Sequence, residues 1–543
     1  MTVVSMNRKD VEKRIGKITS EVENKIAMFG TPVESLTEDT LEIDVTPNRP
    51  DMLSMQGFIR AMVPYLKNEK LKPIKVHKPE KDYKVIIDKS VKAVRPFTAC
   101  AIVKNLKLDD SKIKELIEIQ EKLHTTFARK RKKLAIGIYP LEKIKLPITF
   151  MAKKPEEIKF QPLEFPREIT GLQILSQHPA GREYGHLLEG LDKFPVFMDA
   201  NNKVLSMPPI INSHETGKIS EQTKEVFIEC SGFNLAYLKK TLNILTAIFA
   251  DIGGEIYQMK VSDKEEFISP DLDYTKVKLK LEDVNKTLGL NLNDKDVKKC
   301  LERMQIEYDK GIALVPPYRV DILHWIDLVG DISIGYGFEN FIPEIPKIST
   351  IAEEDKNSKL KRKISEILSG LGLLECSSYH LNTKEEIKKS NYEFKDFIEV
   401  EESKTEYNVL RIDLLTNILK IISENSDSSY PQKIFESGKV FAIAKKEESD
   451  TGVIEKEHLA IAVTDEKVNF TEMKQILDYL FRMLNISYSL EECENSNFII
   501  GRVGRIVVNG IEIGVIGEVA PRVLKNWGIN MPVVALELNI EKI

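Results

Sequence analysis

The stretch Phe341-Ile342-Pro343-Glu344-Ile345-Pro346-Lys347-Ile348-Ser349-Thr350 can neither continue a helix nor sit inside a sheet. Its two prolines lack backbone donors and hold φ at about −65°. It predicts a linker. The polar, lysine-rich run His77-Lys78-Pro79-Glu80-Lys81-Asp82 predicts another. At roughly 100–200 residues per domain, 543 residues suggest three to five domains. With a change of pattern after residue 262, the linkers mark out four expected parts: 1–76, 86–262, 268–346 and 355–543.

The first part reads as a small α/β unit. Val11, Ile15 and Ile18 suggest a helix face, Leu41 to Val45 alternates like a strand, and a helix is expected from Met52 to Leu66. The segment Thr46-Pro47-Asn48-Arg49-Pro50-Asp51 predicts a turn without regular structure. The second part alternates strands (Val85 to Ile87, Thr98 to Val103, Leu134 to Tyr139, Val196 to Asp199) with helices (Ile113 to Leu123, Leu235 to Asp251), a mixed α+β pattern. The third contains two amphipathic helices. One runs from Leu281 to Leu288 and ends at Gly289. The other starts near Asn293 and carries Val297, Cys300, Leu301 and Met304 on one face. A helix-turn-helix-like module is expected there. The last part opens on a basic helix, Leu360 to Leu371. Strand patterns follow at Ile434 to Glu436, Ala460 to Val463, Arg505 to Val508, Ile511 to Ile516 and Val533 to Leu538. Asn509-Gly510 is a strong hairpin signal. The fold class is α+β multidomain, ending in an antiparallel sheet with flanking helices.

Apolar residues make up 42% of the chain, enough for several cores. With 79 basic and 84 acidic residues the net charge is −5, so any contact with RNA needs a local basic patch or a partner chain. Cys100, Cys230, Cys300, Cys376 and Cys493 lie far apart without a C-x-x-C pair, which argues against a disulfide framework or a structural zinc. No apolar run approaches the ~20 residues that span a bilayer, and MTVVSMNRKD lacks the apolar stretch of a signal peptide. A soluble, cytoplasmic protein is expected.

There is no P-loop, H-E-x-x-H or G-x-S-x-G. His178 and His186, eight apart, form no ligand spacing. A self-contained catalytic centre is not visible. Asp327 and Asp331 are four apart, so on a helix they share a face, and Asp321 lies just before that helix. Like charges at that spacing repel by ~0.2–0.5 kcal/mol, and a hard cation such as magnesium would relieve them. Alternatively Asp321 caps the helix and the others are solvated. The run Arg129-Lys130-Arg131-Lys132-Lys133 is either a phosphate contact or a solvated helix end. The segments Gly181 to His186 and Leu205 to Asn212 either line a pocket or are plain turns.

Six stretches taken in order carry a resemblance: EIDVTPNRPD (Glu42 to Asp51), GREYGHLLEG (Gly181 to Gly190), LSMPPIIN (Leu205 to Asn212), Pro317 to Phe338, KIFESG (Lys433 to Gly438) and GEVAP (Gly517 to Pro521) through Leu538. Together they resemble the phenylalanine–tRNA ligase beta subunit family. The length after residue 355 is similar to the archaeal and eukaryotic cytosolic branch, which lacks the extra C-terminal anticodon-binding domain of the bacterial subunit.

The resemblance implies an α₂β₂ assembly with an alpha subunit that carries the ATP and phenylalanine chemistry and most contacts to tRNA(Phe). Residues 86–262 resemble the family's editing domain (B3/B4 type), 268–346 its B5 module, and 355–543 a class II catalytic fold without its signature arginines. Val409-Leu410-Arg411-Ile412-Asp413 is a degenerate echo of those. In the family, an acid at four positions binds magnesium at the junction with alpha. Here these match Asp321, Asp327, Gly330 and Asp331, so one ligand is missing. The editing pocket implied is Phe197, Ser206, Glu229 and Ser231, with Glu229-Cys230-Ser231 where the family has Asp-x-Thr. Editing answers a physical need, because an apolar pocket rejects an added hydroxyl by only about 10²-fold. The implied activity is Phe-tRNA(Phe) synthesis by the assembly, with hydrolysis of Tyr-tRNA(Phe) by this chain. Two rivals remain: a free-standing hydrolase of mischarged tRNA, and a non-enzymatic RNA-binding scaffold.

Overall fold

A computed structural model describes all residues except 1, 264, 391–396, 402 and 446. The chain divides into two compact units, Met1–Ile345 and Pro346–Ile543.

The first unit opens with a three-stranded antiparallel sheet in the order Thr2–Asn7, Thr40–Val45, Val33–Leu36. Two helices, Arg8–Ile15 and Met55–Lys67, pack on it through Val11, Ile15, Phe58 and Met62. Gly16 ends the first helix, so Ile18 is buried from the following loop rather than from a helix face. The two-proline segment is partly regular: Pro50–Met52 forms one 3-10 turn, with proline in a first-turn position where its missing donor costs nothing. The helix therefore starts at Met55, capped by Ser54, rather than at Met52.

An eleven-stranded sheet follows. Its main path runs Ile211–Asn212, Val204–Met207, Phe194–Met198, Ile148–Lys153, Lys84–Ile87, Glu255–Ser262, Phe97–Lys104, Val226–Gly232, Leu134–Pro140. The side chain of Tyr139, on the last strand, touches Ser206, on the second, so the sheet rolls until its ends meet. Helices Asp110–Thr125 and Leu235–Asp251 cover one face through Leu116, Ile119, Leu238, Leu242 and Leu245. The inside of the roll is packed with Phe150, Phe197, Leu205, Phe227 and Ile102. This core on the helix side is continuous with that of the first sheet. Arg60 helps tie them: its guanidinium donates to Asp251 at 2.8 Å and lies 4.2 Å over the Tyr318 ring.

The helical module forms as its caps imply. Gly289 is left-handed after Leu281–Leu288, and Asn293 and Asp296 make a capping box for Asp294–Arg303. The sequence pattern missed its three short strands, Thr275–Lys278, Glu307–Asp309 and Ile312–Val315, which are too brief to show alternation. A third helix, Trp325–Tyr336, completes the module.

The second unit is a seven-stranded sheet, antiparallel except for Leu374–Glu375. Strand Val453–Thr464 shows why it is covered on both faces. Leu459, Ile461 and Val463 meet helices Lys356–Gly370 and Phe470–Leu484, while Ala460 and Ala462 meet Leu415–Glu424 and Pro521–Trp527. Asn509 (φ 52) and Gly510 (φ 76) form the two-residue hairpin that their dipeptide signals. Among the described residues no helix is long and apolar enough to cross a membrane.

A methyl at Gly57 would collide with the Asp51 carbonyl oxygen. Gly57→Ala is expected to destabilise the first unit by about 1–3 kcal/mol, read as an earlier unfolding transition in denaturant.

Candidate functional site

The rolled sheet leaves a cavity of about 390 Å³ where its two ends meet. Ile113, Ile136, Ile138, Pro209 and Ile210 make its walls apolar, and Glu229 and Ser206 also line it. Glu229 lies in strand Val226–Gly232, directly opposite Cys100 on one side and Gly137 on the other. Alternation sends Ile228 and Cys230 to the helix side and turns Phe227, Glu229 and Ser231 into the roll.

Burial pushes the Glu229 carboxyl up to about 8, although the Arg95 guanidinium nearby opposes the shift. The carboxyl is therefore mostly neutral at pH 7. The Tyr139 hydroxyl donates to Ser206 Oγ at 2.7 Å, with Glu229 Oε1 at 3.2 Å and Asn212 Oδ1 at 3.4 Å as alternative acceptors. Gly137 makes this possible, because a Cβ there would stand 2.6 Å from Glu229 Oε1 and overlap the Tyr139 hydroxyl. Glu229 Oε2 is buried without a hydrogen-bond partner. A buried polar atom left unpaired costs about 1–3 kcal/mol, and here it belongs to a residue that lines a cavity.

The four expected pocket residues separate into two pairs. Glu229 and Ser206 line the cavity. Ser231 does not line it: it accepts from Arg95, at 3.2 Å on Oγ and 2.7 Å on its carbonyl, and its side chain also helps oppose the upward shift of the Glu229 carboxyl. Phe197 is fully buried behind the cavity and stacks on Phe150 at 4.1 Å. Sequence reasoning missed Tyr139 and Arg95, while Asn212 lies in the segment Leu205 to Asn212 that it offered as a pocket lining. A glycine inside the apolar strand Leu134–Pro140 was the available signal, since it marks a close approach. His124 also lines the cavity, but its Nε2 accepts from the Ile136 backbone at 2.9 Å and burial lowers its pKa. It is a neutral packing residue.

The segment Leu205 to Asn212 supplies Ser206, Pro208 to Ile211 and Asn212 to the cavity. The segment Gly181 to His186 is not a plain turn: it completes helix Pro179–Tyr184 and begins a 3-10 turn.

The geometry of the chain's other acidic candidates is different. Arg319 is buried and forks onto Asp321 with bonds of 2.9 and 2.8 Å. The same Nη2 reaches Asp331 at 2.7 Å, and Nη1 donates to the Met304 carbonyl. Burial opposes ionisation of Asp321, but Arg319 holds its carboxyl below the usual value; burial raises that of Asp331. Asp327 turns the other way and accepts from the backbone of Leu323 and His324, both at 2.8 Å. Thus His324, not Asp321, caps the helix, with Asp327 as its reciprocal partner in a capping box, and Asp331 is buried rather than solvated. Among the described residues no three His, Cys, Asp or Glu are placed to hold a metal ion. A guanidinium stands where a cation would bridge Asp321 and Asp331, so these residues do not fit a magnesium cage. Gly330 faces open space and adds no ligand.

Over 552 residues the chain is 36% identical to the phenylalanine–tRNA ligase beta subunit of Pyrococcus abyssi, covering 99% of both chains. The chain belongs to the phenylalanine–tRNA ligase beta subunit family. It is also 34% identical over 551 residues to the beta subunit of Archaeoglobus fulgidus, covering 99% of this chain and 98% of that one. Family models match at 277–338, the tRNA synthetase B5 domain, and at 342–540, the phenylalanyl tRNA synthetase beta chain CLM domain. A solved N-terminal fragment of the phenylalanyl-tRNA synthetase beta subunit from Pyrococcus horikoshii is similar in structure, with a TM-score of 0.59 and 35% identity. The match covers 62% of this chain and all of the fragment. The mixed α/β, multidomain architecture is that of this family, whose members are subunits of an aminoacyl-tRNA ligase.

Two outcomes follow from the buried charges. A carboxyl at about 8 when folded against 4.5 when free binds more protons in the folded state, so Glu229 costs stability progressively from about pH 4.5 to 8. Glu229→Gln should therefore melt higher than the natural chain at pH 8, with the gap closing towards pH 5. Arg319→Ala leaves two buried carboxylates without their counter-charge and should cost about 3–5 kcal/mol in chemical unfolding.

Proposed function

We propose that this chain is the beta subunit of an α₂β₂ phenylalanine–tRNA ligase and that its cavity at Glu229 hydrolyses Tyr-tRNA(Phe). The alpha partner carries the adenylation chemistry, with magnesium accompanying ATP there, and the assembly works in the cytoplasm. The state of Arg411 supports this division. It is fully buried, donating to Glu436 Oε1 at 2.6 Å and to the Lys439 carbonyl at 2.6 Å, so it is spent on the fold rather than offered to a ligand. The second unit is then a class II-like domain that docks on alpha.

The unpaired Oε2 of Glu229 carries the editing reading. A tyrosine side chain on the cavity floor satisfies it with the phenolic hydroxyl, whereas phenylalanine leaves it unpaired. That difference of about 1–3 kcal/mol adds to the roughly 10²-fold rejection available at an apolar synthetic site. Tyr139 holds Oε1 and Ser206 anchors Tyr139, which keeps the carboxyl in place. The extra methylene of glutamate is accommodated because Gly137 leaves room beside it.

The test is hydrolysis of Tyr-tRNA(Phe) by the assembled enzyme. Glu229→Ala should lower kcat/KM for this step by about tenfold or more, with Phe-tRNA(Phe) synthesis measured alongside as a check on assembly. An unchanged rate would remove the Glu229 site from editing. Activity of the chain without any partner would favour a free-standing hydrolase.

A further inference from the structure

A cavity of about 250 Å³ is lined from helices Met55–Lys67 and Leu235–Asp251 and shares no lining residue with the cavity at Glu229. Leu71, Ile74, Leu272 and Pro317 make its wall apolar, and Tyr274 and Tyr318 make it partly aromatic. Its charged lining is Arg60, Lys72 and Asp251, two cations against one carboxylate.

Arg60 is only 5% exposed. Its Nη1 donates to Asp251, and the Tyr318 ring covers one face of its guanidinium. Both of these partners line the cavity. Its Nε and Nη2 are buried and have no hydrogen-bond partner among the described residues. Those two atoms form the edge of a guanidinium that grips a carboxylate through two parallel bonds. The same unit uses that edge twice in this way. Arg49 sets its Nε and Nη2 on Asp51, and Arg319 sets its own pair on Asp321. A buried charged donor without a partner is costly, and at Arg60 the cavity offers room for a carboxylate that the chain itself does not place there.

We propose that this cavity binds a small aromatic monocarboxylate, its two oxygens on Nε and Nη2 of Arg60 and its ring between the apolar wall and Tyr274. The proposal is independent of the hydrolytic reading of the cavity at Glu229. One negative charge matches the excess of one positive charge in the lining, whereas a phosphate dianion overshoots it and makes no use of the apolar wall. Size agrees as well. A cavity of about 150 Å³ holds one benzene ring, so about 250 Å³ takes a ring with a short carboxylate arm. Lys72 is exposed and draws the anion in.

The experiment measures binding of ring-labelled 3-phenylpropanoate to the full chain, against the uncharged 3-phenylpropanamide. The acid should bind about 10- to 150-fold more tightly, the range of a hydrogen bond to a charged group. Arg60→Lys keeps a positive charge beside Asp251 but removes the fork, and should erase most of that preference. Lys72→Glu, at an exposed position, should weaken the acid by about fivefold and leave the amide unchanged. Glu229→Ala should alter neither. Equal binding of acid and amide overturns the site, as does a preference that survives Arg60→Lys or is lost on Glu229→Ala. If Arg60→Lys does not fold, Lys72→Glu decides, and unchanged affinity for the acid in that variant overturns the site.

Discussion

The hydrogen bond from Tyr139 to Ser206 joins opposite ends of the eleven-stranded sheet. An open sheet of that size would leave its inner face wet; rolled, it buries Phe150, Phe197 and Phe227 between its own strands. The roll does not close by a strand ladder, and the gap that remains is the cavity. The contact that holds the fold together there is thus also what positions Glu229, because one phenol serves both Ser206 and the carboxyl. Any change to the seam is felt at the floor of the site.

Three buried arginines show how the rest of the chain handles charge. Arg95 is spent on Ser231 beside Glu229, Arg319 on Asp321 and Asp331, and Arg411 on Glu436. A guanidinium presents a planar fork and stays charged, so it can bridge carboxylates inside a protein where an isolated charge would not survive. In the helical module this internal pairing replaces the cation that the acidic spacing suggested. Arg49 and Asp51 form a similar fork; Asp51 adds to the electrostatics of Arg319 and Arg49 to those of Asp321 and Asp331, so EIDVTPNRPD and the segment from Pro317 share one charged junction. The resemblance of these two stretches to the family thus has a structural basis.

Much of the secondary structure was legible because it is written locally. Gly289, Asn293 and Asn509-Gly510 act within a few residues, and Leu235–Asp251 carries an unbroken apolar stripe. The errors fell where local rules compete. Asp321 precedes its helix and looked like the cap, but its neighbour Arg319 claims it, leaving the capping to the reciprocal pair His324 and Asp327. Phe197 and Ser231 follow the strand period that places them near Glu229, yet period alone does not tell which of several inward residues reaches open space. Phe197 meets Phe150, and Ser231 meets Arg95 from a distant turn.

By itself the sequence determined the multidomain α+β class, the caps at Gly289 and Asn293, the Asn509-Gly510 hairpin and the family, and through the resemblance it offered Glu229 and Ser206 as candidates for one site. These follow from short-range stereochemistry and from ordered motifs. Only the tertiary structure decided that Tyr139 completes that site, that Oε2 of Glu229 has no partner, and that Arg319 occupies the acidic cluster. Each of those depends on residues that meet through sheet closure or burial. There a side chain 90 residues away, as Tyr139 is from Glu229, settles whether a carboxyl is charged, paired or free.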